Sequence, residues 1–468
     1  MYIILKFSEI FTKTKRVKEN FLKILENNIR SAFERENFQG TLFVERDKIL
    51  IISDSYNNFF QRIFGVKKVV VAERVNFEEL RDLKERVAEI FGDKVKNNTF
   101  GVRVKRKGVH SFSSLEAERE IGSLLVEKGG KVNLKNPSIW VKLEIEDHKA
   151  YVTLEEFEGA GGLPLSSQGK VLCLVSGGFD SIVASYMLAK RGTALSFLFF
   201  NLGGYSHLRG VVELLNYFYK SYLYGIEPEL IVCDLRPIVE DIRGVIPSSY
   251  WGIVLKRRMF EIAEIIAEER GFKVIATGES LGQVSSQTLD SLFVIEKILK
   301  KTICLRPLLG FDKEEIINLA RKIGTYEFSS KVKEYCAIVP EKPVTRPKLE
   351  DIEKLENLLE KKLIQLIPKS ARVLYPPYKI EEEDIEIEKV PEGAIKVDIR
   401  EKYGAESILF NADLRIPKSD IDKYDFDKDK IYVIFCNYGL FSQEVAIRLR
   451  ERGIRAYAYK GGIVKYRG

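Results

Sequence analysis

VLCLVSGGFDSIVASYMLAKRG, residues 171–192, reads as a strand, a glycine-bearing turn and a helix. Val171 to Val175 is an apolar run short enough for a buried parallel strand. Beyond the turn, Ile182, Tyr186 and Ala189 recur at helical spacing, and Gly192 stands where a helix C-cap belongs. Glycines in such a turn free backbone N–H groups to face a ligand, and the helix N-terminus adds positive potential. The implied ligand is an anion, phosphate first of all. No Gly-Lys-Ser/Thr follows, so this is not the Walker phosphate loop.

A chain of 468 residues predicts roughly three domains at about 150 residues each. Lys and Arg number 75 against 68 Asp and Glu, and the resulting +7 admits nucleic acid without requiring it. The Lys-, Glu- and Ile-rich composition, with 3 Met, is that of a heat-adapted protein. Met1 to Leu5 is too short for a signal-peptide core, and no apolar run approaches a membrane span. Five cysteines without framework spacing predict a reducing, cytoplasmic setting with no membrane partner.

The pattern changes in four places. Residues 1–75 hold strand-like YIILKF, a basic helix from Lys18 to Arg35, and strand pieces at TLFVE and ILIIS. Residues 76–165 open with a helix (Phe77 to Phe91), continue into FGVRVKRKG, and end in the alternating patterns WVKLEIE and AYVTLEE. Gly159, Gly161, Gly162 and Pro164 then mark a boundary. Residues 168–345 alternate strand and helix (ALSFLFF, ELIVCDL, a helix from Val254 to Arg270, KVIATGES, TICLRPL), the signature of a doubly wound parallel sheet. Asp312 and Glu315 form a capping-box start to its last helix. Residues 346–390, rich in Glu, Lys and Pro, read as a helix and an extended linker, and a small α/β unit fills 391–468. The expected fold class is therefore a multidomain α/β and α+β chain.

Ligands bind at the carboxyl ends of parallel strands. Three segments end strands with suitable loops: SGGFDS, FFNLGG and TGESLGQVSSQT. Any one alone is a tight turn; together on one sheet they predict a nucleotide. Asp180 suits Mg²⁺ or the leaving pyrophosphate held through a metal. Lys256 and Lys313 can neutralise phosphate charge, or lie as solvated helix residues.

With SGGFDS, NLGG, LKRRM, TGESLGQVSSQT, LRPLLGFDKEEIINLARKIGT and EYC together, the chain resembles the tRNA uracil 4-sulfurtransferases, or 4-thiouridine synthetases. KFSEIFTKTKR resembles the opening of that family's ferredoxin-like domain, and GVRVKRKGVHSFSSLEAEREIG is similar to the RNA-binding THUMP domain. SGGFDS alone indicates only the PP-loop ATP pyrophosphatases; the GQVSSQT and EYC segments narrow it. The resemblance implies that ATP adenylates O4 of the uridine at tRNA position eight, pyrophosphate leaves, and sulfur displaces AMP. It implies an ATP site of Leu174, Val175, Ser176, Gly177, Gly178, Asp180, Ser181, Phe199, Phe200, Lys256, Gly278 and Gln287. It also makes Lys313 a residue needed for activity, here assigned to charge on the α-phosphate. Implied partners are tRNA and a cysteine desulfurase as sulfur donor, with a homodimer allowed.

Cys173, Cys233 and Cys304 sit in apolar strand runs and read as inert core. Cys436 follows the strand IYVIF, and its loop CNYGLF leads to a helix beginning near Ser442, a setting that favours thiolate or persulfide. VDIR, NADLRIP, the Cys loop and EVAIRLRERGIRAYAYKGGI resemble a rhodanese domain, in a short copy whose loop carries bulky Tyr438, Leu440 and Phe441. The resemblance assigns Cys336, in KEYCAIVPEKP, as the thiol that closes a disulfide with Cys436 when sulfur is released. That exchange requires the terminal domain to swing on the 346–390 segment. No Cys-x-x-Cys pair occurs, so an iron–sulfur cluster of the kind some relatives use is not expected.

Arg103, Lys105, Arg106 and Lys107 form the densest basic run. Such a run is usually a solvated face; in a THUMP-like setting it implies phosphate contacts to tRNA, assisted by His110 and Arg119. Three histidines leave no His-based metal site or triad to expect. Two alternatives stay open: sulfur delivery to the thiazole of thiamine, which needs the terminal domain but not tRNA, and an RNA-binding protein with a vestigial ATP site.

Overall fold

YIILKF forms β1 (Tyr2–Phe7), and its period of two sends side chains to both faces. Ile3, Leu5 and Phe7 join a core with Phe21, Leu25, Ile29 and Ala32 of α1 (Lys15–Arg35), whereas Ile4 packs with Leu50, Val70, Ala72 and Tyr151 on the opposite side. Each such buried aliphatic contributes roughly 1.5–3 kcal/mol. In this computed structural model residues 1–332, 342–380, 385–401, 410–437 and 440–466 are described. They fall into two units: Met1–Val171 with Ser185–Leu195 and Phe218–Pro228, and Leu172–Ala184 with Ser196–Tyr217 and Glu229–Gly468.

In the first unit, β2 (Thr41–Val44), β3 (Lys48–Ile52), β4 (Val66–Asn76), β5 (Thr99–Lys107), β6 (Lys131–Val132), β7 (Ile139–Glu146) and β8 (Lys149–Glu158) join β1 in one sheet ordered β2-β3-β1-β4-β8-β7-β5-β6. α2 (Leu80–Val95) and α3 (Ser114–Glu127) cover β5 and β7 through Leu83, Val87, Phe91, Ile121 and Leu125. The boundary expected at 75/76 falls inside β4. This strand pairs with β1 on one side and, from Lys68↔Glu158 to Asn76↔Lys149, with β8 on the other. The two N-terminal domains expected over 1–75 and 76–165 thus share one sheet.

The expected doubly wound fold is present, most of it in the second unit and parts of β9, α4, β10 and α5 in the first. Its elements are β9 (Lys170–Val175), α4 (Phe179–Lys190), β10 (Ala194–Asn201), α5 (Gly204–Tyr222), β11 (Leu230–Asp234), α6 (Arg236–Val245), α7 (Trp251–Glu269), β12 (Val274–Ala276), α8 (Leu289–Glu296), β13 (Ile303–Leu305), α9 (Lys313–Lys322) and α10 (Tyr326–Ser329). The strand order is β13-β12-β9-β10-β11, with β10–β11, β12–β9 and β12–β13 in parallel register. The chain leaves β9 toward β10 and returns on the other side to β12, so the topological switch point lies between β9 and β12.

The expected linker is the main difference between sequence reading and structure. Residues 349–374 form α11 (Leu349–Glu356), α12 (Lys361–Lys369) and β14 (Arg372–Leu374), and β14 closes the sheet antiparallel to β11. Ile352, Leu359, Ile364 and Ile367 enter the core of the nucleotide fold. Glu356 accepts two hydrogen bonds, both 2.8 Å, from the buried Arg257 guanidinium. The Glu- and Lys-rich composition hid an apolar stripe at helical spacing.

The terminal unit is a parallel five-stranded sheet of β15 (Glu386–Ile387), β16 (Ile395–Asp398), β17 (Leu414–Arg415), β18 (Ile431–Phe435) and β19 (Arg455–Tyr459), ordered β15-β19-β18-β16-β17. α13 (Leu440–Glu451) follows β18. Among the described residues no helix is long and apolar enough to cross a membrane.

Candidate active site

The SGGFDS turn leaves β9 at the switch point, and its own hydroxyls shape it. Ser181 Oγ donates to the Gly178 carbonyl at 3.2 Å and accepts from Ser176 N at 3.3 Å, while Ser176 Oγ accepts from Gly178 N at 3.5 Å. Gly177 has φ +84, and a Cβ there would lie 2.7 Å from Val332 Cγ1, so only glycine fits. α4 starts at once, with Asp180 in its first turn. Behind the turn, His207 Nε2 donates to the Ser176 carbonyl at 2.9 Å, and burial holds this imidazole below its ordinary pKa.

Asp180 is clasped from two sides. Lys313 Nζ, at the start of α9, lies 2.9 and 3.2 Å from its two carboxylate oxygens, and Gln283 Nε2 donates to Oδ2 at 2.9 Å. The Asp312/Glu315 capping box that starts α9 is present with both of its hydrogen bonds. Gly278 permits the approach of the β12 loop: a Cβ there would sit 2.4 Å from the Asp180 carbonyl carbon.

Lys256 is tied into a second network. Its Nζ donates to Glu279 Oε1 at 2.6 Å, and Glu279 Oε2 accepts from Arg306 Nε at 2.8 Å and Thr277 Oγ1 at 3.1 Å. Arg306 also reaches Glu296. Burial alone would raise the Glu279 carboxyl, but the Lys256 and Arg306 charges outweigh it and hold the group below its ordinary value. Gln287 is buried, and its Oε1 and that of Gln283 have no hydrogen-bond partner among the described residues.

Leu174, Val175, Phe199 and Phe200 are buried among sheet side chains, so they can offer a ligand only main-chain atoms at their strand ends. Glu279, Gln283 and Arg306 stand in the strand-end motifs but carry no role by sequence alone, and His207 lies just beyond FFNLGG, outside any motif. Glu279 and Gln283 stand in TGESLGQVSSQT itself, and an acid between two basic segments was the available signal.

The basic run of β5 divides between partners. Arg103 stacks on Trp140 at 4.7 Å, and Lys107 is bound to Asp47 and Glu146, which raises its pKa. Arg106 Nη1 donates to His110 Nδ1 at 2.9 Å, and His110 Nε2 must then donate to the Asp147 carbonyl at 2.7 Å, which fixes a neutral tautomer. Lys105 is exposed. A groove lined by Lys6, Lys48 and Lys105–Lys107 also carries Asp47, Glu144 and Glu146, so its positive charge is partly neutralised. Arg119 lines a separate groove with Arg103, Leu115, Val126 and Leu134.

Of the cysteines, Cys173 and Cys233 are buried and Cys304 half-buried. Burial pushes the Cys233 and Cys304 thiols up to about 12, as inert core requires. Cys436 directly follows β18, is 4% exposed, and directs Sγ at Ser442 Oγ, 3.7 Å away. Beside it, Asp398 at the end of β16 binds the Arg400 guanidinium through both oxygens, 3.0 and 2.7 Å. Cys336 and Tyr438 lie outside the described residues.

A glycine turn at the switch point of a doubly wound sheet, with an acid and two lysines at its mouth, defines the PP-loop class, here joined to an N-terminal THUMP region. The profile described as "Thiamine biosynthesis protein (ThiI)" matches residues 166–361, and the THUMP domain profile matches 77–155. A tRNA sulfurtransferase of Desulfurococcus amylolyticus is 36% identical over 100% of this chain and 98% of its own. Another, of Tolumonas auensis, is 35% identical over 97% and 98%. The crystal structure of a 4-thiouridine synthetase–RNA complex with bound ATP is 28% identical, with a TM-score of 0.72, over 80% of this chain and 99% of that one. The chain belongs to the tRNA sulfurtransferase family.

Proposed function

We propose that this enzyme thiolates tRNA in an ATP-dependent reaction, converting the uridine at position eight into 4-thiouridine through an adenylated base. The observation that carries the reading is the clasp on Asp180: a carboxylate fixed by Lys313 and Gln283 at the mouth of a glycine turn. A vestigial site has no reason to keep that geometry. Uridine O4 attacks the α-phosphorus, the bond to the bridging oxygen breaks, and pyrophosphate leaves with the electron pair. Backbone N–H groups of Ser176–Ser181 cradle the phosphates, and Lys256 and Lys313 offset the charge that develops.

One carboxylate beside substrate phosphates suits Mg²⁺ brought in with ATP. No trio of His, Cys, Asp or Glu gathers among the described residues to hold a resident ion. Asp180 would face such a metal, whose contribution is charge neutralisation on the leaving pyrophosphate.

Sulfur arrives from a cysteine desulfurase as a persulfide on Cys436 of the rhodanese-like unit. Its outer sulfur attacks C4 of the base, AMP leaves, and a C4–S–S–Cys436 link remains. The Cys336 thiolate attacks Cys436 Sγ, freeing the thiolated base and leaving a Cys336–Cys436 disulfide that an external dithiol reduces. Alternatively the Cys336 thiolate attacks Cys436 Sγ first, so that the outer sulfur departs as sulfide, the same Cys336–Cys436 disulfide forms, and the sulfide then displaces AMP from C4. tRNA is gripped through phosphate contacts from Arg103, Lys105, Arg106 and Lys107, with His110 and Arg119 beside them. The setting is cytoplasmic.

The test is a reaction of the enzyme with ATP, unmodified tRNA, cysteine, reductant and a cysteine desulfurase. ATP-dependent 4-thiouridine in the nuclease digest is expected; none, from folded enzyme that binds the tRNA, removes the reading. The family description also favours a second role, sulfur supply to the thiazole of thiamine. An Asp180→Ala enzyme that loses tRNA thiolation and keeps thiazole sulfur delivery would establish it.

A further inference from the structure

The carboxyl edge of the nucleotide sheet carries a contact that adenylation does not use. β11 ends at Asp234, level with Asn201 of β10, and Leu235 N donates to the Asn201 carbonyl at 3.2 Å. Arg236 opens α6 on this edge. Asp234 fixes its guanidinium, with Nε 2.8 and 3.0 Å from the two carboxylate oxygens and Arg236 N donating to Oδ1 at 3.1 Å. That leaves Nη1 as an aimed donor, and it meets Glu444 Oε1 of the terminal unit at 3.0 Å.

Glu444 lies on α13, the helix that follows the Cys436 loop. Its other oxygen accepts from Lys418 Nζ at 2.8 Å. The four groups alternate in sign, Asp234, Arg236, Glu444 and Lys418, and Glu444 is only 12% exposed. The tether to the terminal unit starts at β14, which pairs with β11, the strand that carries this site. From Leu374 to Glu386 the tether reaches at most about 40 Å. A polar contact of this size orients a unit and still releases it.

We infer that Arg236 is a docking post by which the nucleotide fold seats the terminal unit through Glu444, holding the Cys436 end of that unit on the edge where the activated base forms. Arg236 is in this sense a positioning residue for sulfur delivery. The inference rests on the sulfur-transfer reading above, and its first test does not.

In the full-length enzyme, Arg236→Ala, Glu444→Ala and the double variant are compared by the rate of limited tryptic cleavage between residues 375 and 394. Each single variant is expected to be cut roughly fivefold faster, and the double no faster than either single, because both remove one interaction. Unchanged rates, or single effects that multiply, overturn the dock, and Glu444→Ala gives the answer even where Arg236→Ala disturbs α6. The second test compares sulfur sources. Thiolation fed by cysteine and desulfurase should fall several-fold in Arg236→Ala, whereas thiolation fed by sodium sulfide, which bypasses the terminal unit, should hold. Equal loss with both sources, or faster desulfurase-fed thiolation, overturns the delivery role. Altered cleavage with no thiolation by wild type from either source keeps the dock and rejects the sulfur-transfer reading.

Discussion

Replacing Glu279 by Gln removes one negative charge from between two cations and leaves the volume almost unchanged. Lys256 and Arg306 would then face each other across a neutral amide inside the fold. Losing one partner of a buried pair costs about 3–5 kcal/mol. Arg306 keeps Glu296, and the Lys256 side chain is 23% exposed, so the low end, about 3 kcal/mol, applies. At about 2–4 °C per kcal/mol, the calorimetric transition of the nucleotide fold should drop by about 6–12 °C, and that of the first unit should stay. The pH dependence gives an independent check. The Glu279 carboxyl is depressed below its ordinary 4.5, so its contribution is full above pH 4.5 and is lost as pH falls through the lower folded value. The gap between wild type and Glu279→Gln should therefore close in acid below pH 4.5. A shift under 2 °C at neutral pH, or a gap that persists undiminished in acid, would refute the account of Glu279 as the charge that holds Lys256.

Asp180→Ala should abolish ATP-dependent thiolation while tRNA binding, measured by filter retention, stays within about twofold. Charge reversal at Lys105, Arg106 and Lys107 should weaken tRNA binding and flatten its salt dependence; Lys105→Ala alone should lower the log–log slope by roughly 0.7–0.9, and Lys107→Ala by less, because Asp47 and Glu146 already occupy that ammonium. Cys436→Ser should accept no sulfur from the desulfurase, whereas Cys336→Ser should accept it and fail to finish the transfer, both read by intact-protein mass spectrometry.

Where local chemistry decides structure, the sequence was readable. The SGGFDS turn, the Asp312/Glu315 cap, Gly192 in a left-handed conformation after α4 and the strand before Cys436 all follow from short-range rules. The ATP residues carried by resemblance converge in part: Asp180, Gly278 and Lys313 meet directly, and Lys256 joins through Glu279. Long-range pairing was not readable. Glu356 on Arg257, Gln283 on Asp180 and Glu444 on Arg236 join residues 99, 103 and 208 positions apart, and no local period signals such partners. The charged 346–390 segment misled for the same reason, since its acid neutralises a buried arginine rather than facing water.

The strand β4 sets how this enzyme can be taken apart. A gene cut at residue 75 would part β4 from β8 along the whole register from Lys68↔Glu158 to Asn76↔Lys149 and leave both strands with raw edges, ready to pair with other chains. Residues 1–158, which form one sheet, are thus expected to express as a single cassette. An attempt to graft the THUMP segment alone onto another catalyst should yield aggregate unless residues 1–75 travel with it.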